Sequence, residues 1–215
     1  MKYEIYYTPF FHIIITNTFP KKVNRDILRE AVKNRKHFKD ATTGKGVDTK
    51  FRSNKVLYMD ELYIKDRKKS ILIKSIENLF EKNTKFRETL ASSPYPISEF
   101  LGTNTHETQV SRYGDVEQKY QFHIDRFAND TRQISVIYYF NLEPQCYEGG
   151  LLEITQSPIA SGKEVDDYCS NKLINPSNNM MMVFGGSNAH RVLPTNSPKE
   201  WSQGRFSMNC WVGKK

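Results

Sequence analysis

His123 and Asp125 are separated by one residue in the stretch Tyr120-Gln121-Phe122-His123-Ile124-Asp125. If the stretch is a strand, positions i and i+2 leave the backbone on the same face. A neutral imidazole and a carboxylate side by side are two thirds of a facial triad of two histidines and one carboxylate, which suits Fe(II) with open coordination positions. The chain holds five histidines. His12 lies in an apolar strand and reads as structural. His37 sits on a charged helix. His106 precedes a strand in a polar loop, with no carboxylate two residues on. His190 follows the glycine-rich turn Gly185-Gly186-Ser187-Asn188-Ala189, which lets a strand end with its side chain projecting into a barrel mouth.

A second constellation lies near the end of the chain. In Arg205-Phe206-Ser207-Met208-Asn209-Cys210-Trp211 the positions Arg205, Ser207, Asn209 and Trp211 share one face of a strand, either inward or outward. If they face inward, Arg205 needs an anion, because a buried unpaired guanidinium is costly. A carboxylate held by Arg205 and supported by a Ser207 hydroxyl is the natural partner.

These groups need a frame. Residues 3–16 read as strand, broken at Thr8-Pro9. Val23, Ile27, Leu28, Ala31 and Val32 predict a helix to about Lys39, with Asn24 as a possible N-cap. Residues 40–50 are polar, carry two glycines and predict a mobile loop. Phe51 to Met59 reads as strand. The spacing of Leu72, Ile76, Leu79, Phe80 and Phe86 predicts one helix over 69–90. After residue 96 helical periodicity gives way to short β-rich runs at roughly 108–113, 119–125, 132–141, 150–155, 180–184, 189–193 and 205–212. That density implies a sandwich or barrel. The run Met180-Met181-Met182 reads as a core strand, and the polar 156–179 connection as an insert near the mouth. The expectation is a mainly β chain: one domain over 1–215, a strand-helix support in 1–95 and a β core in 96–215.

Composition sets outer bounds. With 38% hydrophobic and 26% charged residues the chain has an ordinary globular composition. No apolar run reaches membrane-spanning length and no secretory signal is visible, so no membrane contact and a cytoplasmic location are expected. Three scattered cysteines fit free thiols in a reducing compartment. Residues 1–100 carry 21 Lys and Arg against 12 Asp and Glu, whereas 101–215 carry 11 against 12. The basic excess is read as a solvated face of lysine-rich helices, with nucleic acid or ribosome contact as the alternative.

The order His123-x-Asp125, His190, Arg205-x-Ser207 resembles the Fe(II)- and 2-oxoglutarate-dependent oxygenases and their double-stranded β-helix, a jelly-roll core here buttressed by two or more helices. The flanks are similar to the prolyl 4-hydroxylase-like branch. Arg112-Tyr113 resembles its tyrosine-bearing strand, and Ile137-Tyr138-Tyr139-Phe140-Asn141 its "IYYLN" strand. Glu148-Gly149-Gly150-Leu151-Leu152-Glu153-Ile154 resembles its "GGxLxI" turn, and Asn175-Pro176 through His190-Arg191-Val192-Leu193-Pro194 its closing pattern. Phe11 to Val32 and Phe51-Arg52-Ser53 are weaker likenesses to its entry strands. The collagen-modifying members use Lys where Arg205 stands; Arg fits the intracellular members.

The resemblance implies roles. His123, Asp125 and His190 would bind Fe(II). The cosubstrate 2-oxoglutarate would bind with its distal carboxylate on Arg205, helped by Tyr139 and Ser207. Tyr113 would contact cosubstrate or substrate, and Leu152 would form an apolar wall. Dioxygen would be the oxidant, with ascorbate as a reductant, and the products would be succinate, CO2 and a hydroxylated C–H. A prolyl residue of a protein or peptide is the first substrate expected. A small molecule or free amino acid comes second and a methylated nucleic acid third; a metal-binding barrel without catalysis is the remaining reading.

Overall fold

The alternation of apolar residues along the strands gives the larger of two facing sheets two buried faces. The computed structural model describes residues 1–43, 46–92, 105–126, 132–155 and 171–213. The N-terminal part contributes β1 (Lys2–Tyr6), β2 (His12–Thr16), α1 (Lys21–Lys33), β3 (Lys39–Asp40), β4 (Lys55–Tyr58), α2 (Met59–Leu62), α3 (Ile71–Lys82) and α4 (Thr84–Ala91). The strands that follow are β5 (Thr105–Tyr113), β6 (Gln118–His123), β7 (Arg132–Tyr139), β8 (Glu148–Gly149) and β9 (Leu152–Thr155). Then come β10 (Asn171–Ile174), β11 (Met180–Gly185), β12 (Ala189–Asn196) and β13 (Arg205–Gly213). The larger sheet has the order β1-β2-β11-β7-β13-β5-β4-β3, the smaller β10-β9-β12-β6, with β8 paired to β12. This is the expected jelly roll with helical support.

One face of the larger sheet packs against helices. Ile13, Ile15, Val136, Tyr138, Met181, Val183, Met208 and Cys210 meet Ile27, Leu28, Leu72, Ile76, Leu79, Phe80 and Phe86 there. The opposite face looks across to the smaller sheet: Ile137, Tyr139, Met180, Met182 and Phe184 meet Leu152, Ile154 and Val192. The methionine run is therefore core on both sides. Cys210 is fully buried, and burial pushes its thiol up to about 12; it is a small apolar residue here.

Several local expectations change. The helix expected over 69–90 is two: the chain turns at Asn83, whose side chain caps α4 by accepting from the Phe86 N–H. Asn24 is no N-cap. It lies inside α1, buried, where its amide oxygen accepts from the Tyr138 hydroxyl at 2.6 Å and its Nδ2 donates to Asn178. α1 ends at Lys33, six residues early, and His37 follows on an exposed 3-10 turn. The strand expected over 51–59 is limited to Lys55–Tyr58. Part of the polar 156–179 stretch, Asn171–Ile174, is an edge strand paired with β9; 156–170, with Cys169, lies outside the described residues. In the 40–50 stretch Asp40 pairs with Lys55 and Thr43 bridges Gly46; residues 44–45 lie outside the description. β1 to β4 all join the larger sheet, so the N-terminal strands are part of the β core itself.

Candidate metal centre and the cavity behind it

β6 ends at His123, and Asp125 stands two residues further on in a bend rather than on the strand. The backbone N–H groups of Asp125 and Arg126 both donate to the Gly186 carbonyl, at 3.0 and 2.9 Å. This ties the bend to the glycine turn that precedes His190, on β12 directly opposite His123. The ligand atoms of His123, Asp125 and His190 lie within 4.8 Å of one another.

The hydrogen bonds decide which imidazole nitrogen is free. His123 Nδ1 lies 2.8 Å from the Gln121 carbonyl and His190 Nδ1 3.0 Å from the Asn188 carbonyl. A carbonyl only accepts, so each Nδ1 carries the proton and each Nε2 keeps its lone pair. Those Nε2 atoms face the Asp125 carboxylate at 3.8 Å (His123) and 3.5 Å (His190). Burial, and next the neighbouring His190, push His123 down to about 3, so its ring is neutral. Burial alone would raise the Asp125 carboxyl; His190, His123 and the Ser135 hydroxyl outweigh it and hold the group below its ordinary value. Ser135 donates to Oδ2 at 2.6 Å. Two imidazole Nε2 atoms and one oriented carboxylate are a donor set that fits Fe(II).

Behind this cluster a narrow cavity runs between the sheets, lined by Tyr113, Tyr139, Leu152, Arg205, Ser207 and Asn209 among others. Arg205 is 1% exposed. Its Nε donates to the Gly150 carbonyl at 2.9 Å, while its Nη1 is buried without a partner. The guanidinium carbon lies 5.0 and 5.1 Å from the Tyr113 and Tyr139 ring centroids. Tyr139 Oη is also buried and unpartnered, and burial pushes it up to about 12 despite the opposing pull of Arg205. Gly150 has φ +68°, and a Cβ there would stand 2.6 Å from Arg205 Cδ; the glycine leaves room for the arginine. Arg205 Nη1 and Tyr139 Oη, buried donors without an acceptor, suit a carboxylate.

The sequence model described as the 2OG-Fe(II) oxygenase superfamily matches residues 108–213. The chain belongs to that superfamily. An uncharacterized PKHD-type hydroxylase of Synechocystis sp. is 27% identical over 205 residues, 94% of this chain but 62% of the relative. The chain thus spans about three fifths of that curated relative's length. Among solved structures it is similar to a prolyl hydroxylase from Trichoplax adhaerens, in complex with a hypoxia inducible factor oxygen degradation domain peptide fragment (TM-score 0.65, 19% identity, 94% of this chain and 83% of the other). It is also similar to a prolyl-4-hydroxylase from Pseudomonas putida (TM-score 0.63, 18% identity, 95% and 92%). Its fold is that of the prolyl hydroxylase-like oxygenases.

All eight residues singled out from the sequence converge on the metal cluster or the cavity behind it. Three neighbours of the centre escaped that reading. Ser135 lies in a strand whose sequence says nothing of Asp125. The Tyr120 ring stacks on His123 (3.6 Å between centroids, 17° between planes). Arg52 lies over the Tyr120 ring at 4.4 Å from its centroid and donates to Asn54 and Gln109. Tyr120 had no readable signal: three residues before His123 it falls on the opposite face of a regular strand, and the register shift between His190 and Val192 accompanies the stacking. No helix among the described residues is long and apolar enough to cross a membrane.

Proposed function

We propose that the chain is an Fe(II)- and 2-oxoglutarate-dependent dioxygenase that hydroxylates an unactivated C–H, first of all in a prolyl residue of a protein or peptide. His123, Asp125 and His190 hold the metal. Arg205 and Tyr139 hold the distal carboxylate of 2-oxoglutarate, Ser207 and Tyr113 lie along its path, and Leu152 is its apolar wall. The whole chain acts as one oxygenase unit, since strands from both halves build the sheet that carries Arg205. When bound, Fe(II), 2-oxoglutarate and dioxygen supply oxidative decarboxylation to succinate and CO2 together with transfer of one oxygen atom to the C–H.

The protein's part is orientation. The Gln121 and Asn188 carbonyls fix both imidazole tautomers, and Ser135 occupies Asp125 Oδ2. The buried Arg205 sets the depth to which a dicarboxylate enters. One observation carries the reading: a His–Asp–His cluster and a buried, partner-seeking arginine face the same cavity.

The test is succinate formation with Fe(II), ascorbate and proline-containing peptides, with a +16 Da product shift. His123→Ala or Asp125→Ala abolishes 2-oxoglutarate turnover and His37→Ala does not; the reverse pattern would sink the assignment. Succinate formed with no peptide product would turn the reading toward a free amino acid or other small molecule, which the narrow cavity also suits.

A further inference from the structure

Cross-strand register sets two rows of side chains at the level of the His–Asp–His cluster. In the smaller sheet Lys172, Ile154, His190 and His123 stand opposite one another across β10, β9, β12 and β6. In the larger sheet the row is Tyr6, His12, Phe184 and Ser135 across β1, β2, β11 and β7. Directly opposite residues share a face. Here it is the inner face, because Ile154 and Phe184 pack between the sheets and Ser135 reaches Asp125. One side of this layer is therefore closed by Asp125 and Ser135. The other is closed by Lys172, whose Nζ lies 2.8 Å from His12 Nε2 and 3.6 Å from the Tyr6 ring centroid. The Tyr6 and His12 rings stack at 4.6 Å with 5° between planes.

The charge balance of that side is unusual. His12 is fully buried, and its Nδ1 faces the Phe10 carbonyl at 3.0 Å, so Nδ1 carries the proton and Nε2 accepts from the ammonium. Among the described residues Lys172 has no carboxylate partner: Glu4, the acid that acts on it, is held by Lys2 and by the Tyr6 hydroxyl. An inward-facing ammonium that rests on a neutral ring nitrogen and a ring face keeps donors and charge for something else. Two strand spacings, roughly 10 Å, separate it from His190. Ile154 and Phe184, both fully buried, lie between on the two sheets.

We propose that Lys172, held in place by His12 and Tyr6, is a substrate-selecting subsite for a carboxylate. The preferred substrate is then a peptide with Asp or Glu adjacent to the oxidised residue. This deepens the function proposed above and rests on it.

The test uses the full chain loaded with Mn(II) and 2-oxoglutarate, titrated with the acetylated, amidated peptide Ala-Asp-Pro-Asp-Ala and its Asn-Pro-Asn counterpart. The acidic peptide binds at least about tenfold more tightly, the scale of one hydrogen bond to a charged group. Lys172→Met brings the two to parity, Lys172→Arg keeps the preference and Lys172→Glu favours a Lys-Pro-Lys peptide. All three variants bind Mn(II) and 2-oxoglutarate as the parent does. Equal binding of the two peptides by the parent, or a preference that survives Lys172→Met, overturns the subsite. So does binding of neither peptide by a protein that takes up Mn(II) and 2-oxoglutarate. Failure of the parent to bind Mn(II) is a separate result that removes the centre, and the subsite with it.

Discussion

Two residues outside the cavity lining control the geometry of Asp125 and Arg205. Ser135 holds one oxygen of Asp125, leaving the other to face His123. Ser135→Ala frees the carboxylate to rotate, and Mn(II) affinity falls about 10–100-fold, the usual cost of losing a partner of a metal ligand; calorimetric titration reads this directly. Gly150 acts on Arg205 in a similar way. A Cβ at 2.6 Å from Arg205 Cδ must displace the guanidinium. Gly150→Ala raises the KM for 2-oxoglutarate and lowers stability by about 1–3 kcal/mol, while Mn(II) binding is unchanged. The residues proposed to hold metal and cosubstrate were legible because a His-x-Asp pair, a histidine after a glycine turn and an arginine on a strand are each short-range patterns. Ser135, Arg52 and Lys172 were not, because each acquires its meaning from a residue on a distant part of the chain, and no local period reports that.

At the scale of elements, α1 is docked by a buried polar link as well as by its apolar stripe. The Tyr138 hydroxyl lies 2.6 Å from Asn24 Oδ1 on the helix and 3.1 Å from Asn179 Oδ1 before β11. Asn179 in turn donates to the Phe19 carbonyl and accepts from the Phe19 N–H at the helix entry. Tyr138→Phe removes the donor and leaves the buried Asn24 amide oxygen without its partner, while Asn179 Oδ1 keeps the Phe19 N–H. The expected loss is about 1–3 kcal/mol of unfolding free energy, read as a lower urea midpoint with an unchanged slope. Helix and strand content were readable from periodicity; this link was not, since an asparagine near a helix start has a familiar local role as a cap and nothing nearby in sequence argues against it. The break at Asn83 was hidden for a related reason: the apolar spacing continues through it, and only the cap geometry separates α3 from α4.

Across the whole molecule, acidity acts through histidines enclosed as neutral rings. Burial, with Lys172 adding to it, holds His12 below its ordinary 6.5. The unfolded chain therefore binds a proton near pH 6.5 that the folded chain refuses. Stability is full above that pH and falls as the pH drops through it. In metal-free protein, urea midpoints decline from pH 8 to pH 5.5, and His12→Gln makes the decline shallower.

β13 has a consequence for how the protein is made. It lies between β7 and β5 at the centre of the larger sheet, yet it is synthesised after both. Until residues 205–213 have left the ribosome, the strands already made hold two open edges toward each other. The same nine residues bring Arg205, so closure of the sheet and completion of the proposed cosubstrate pocket are one event. A nascent chain stopped before it has an unfinished sheet and no anion clamp, and 2-oxoglutarate can stabilise only chains that have passed that point.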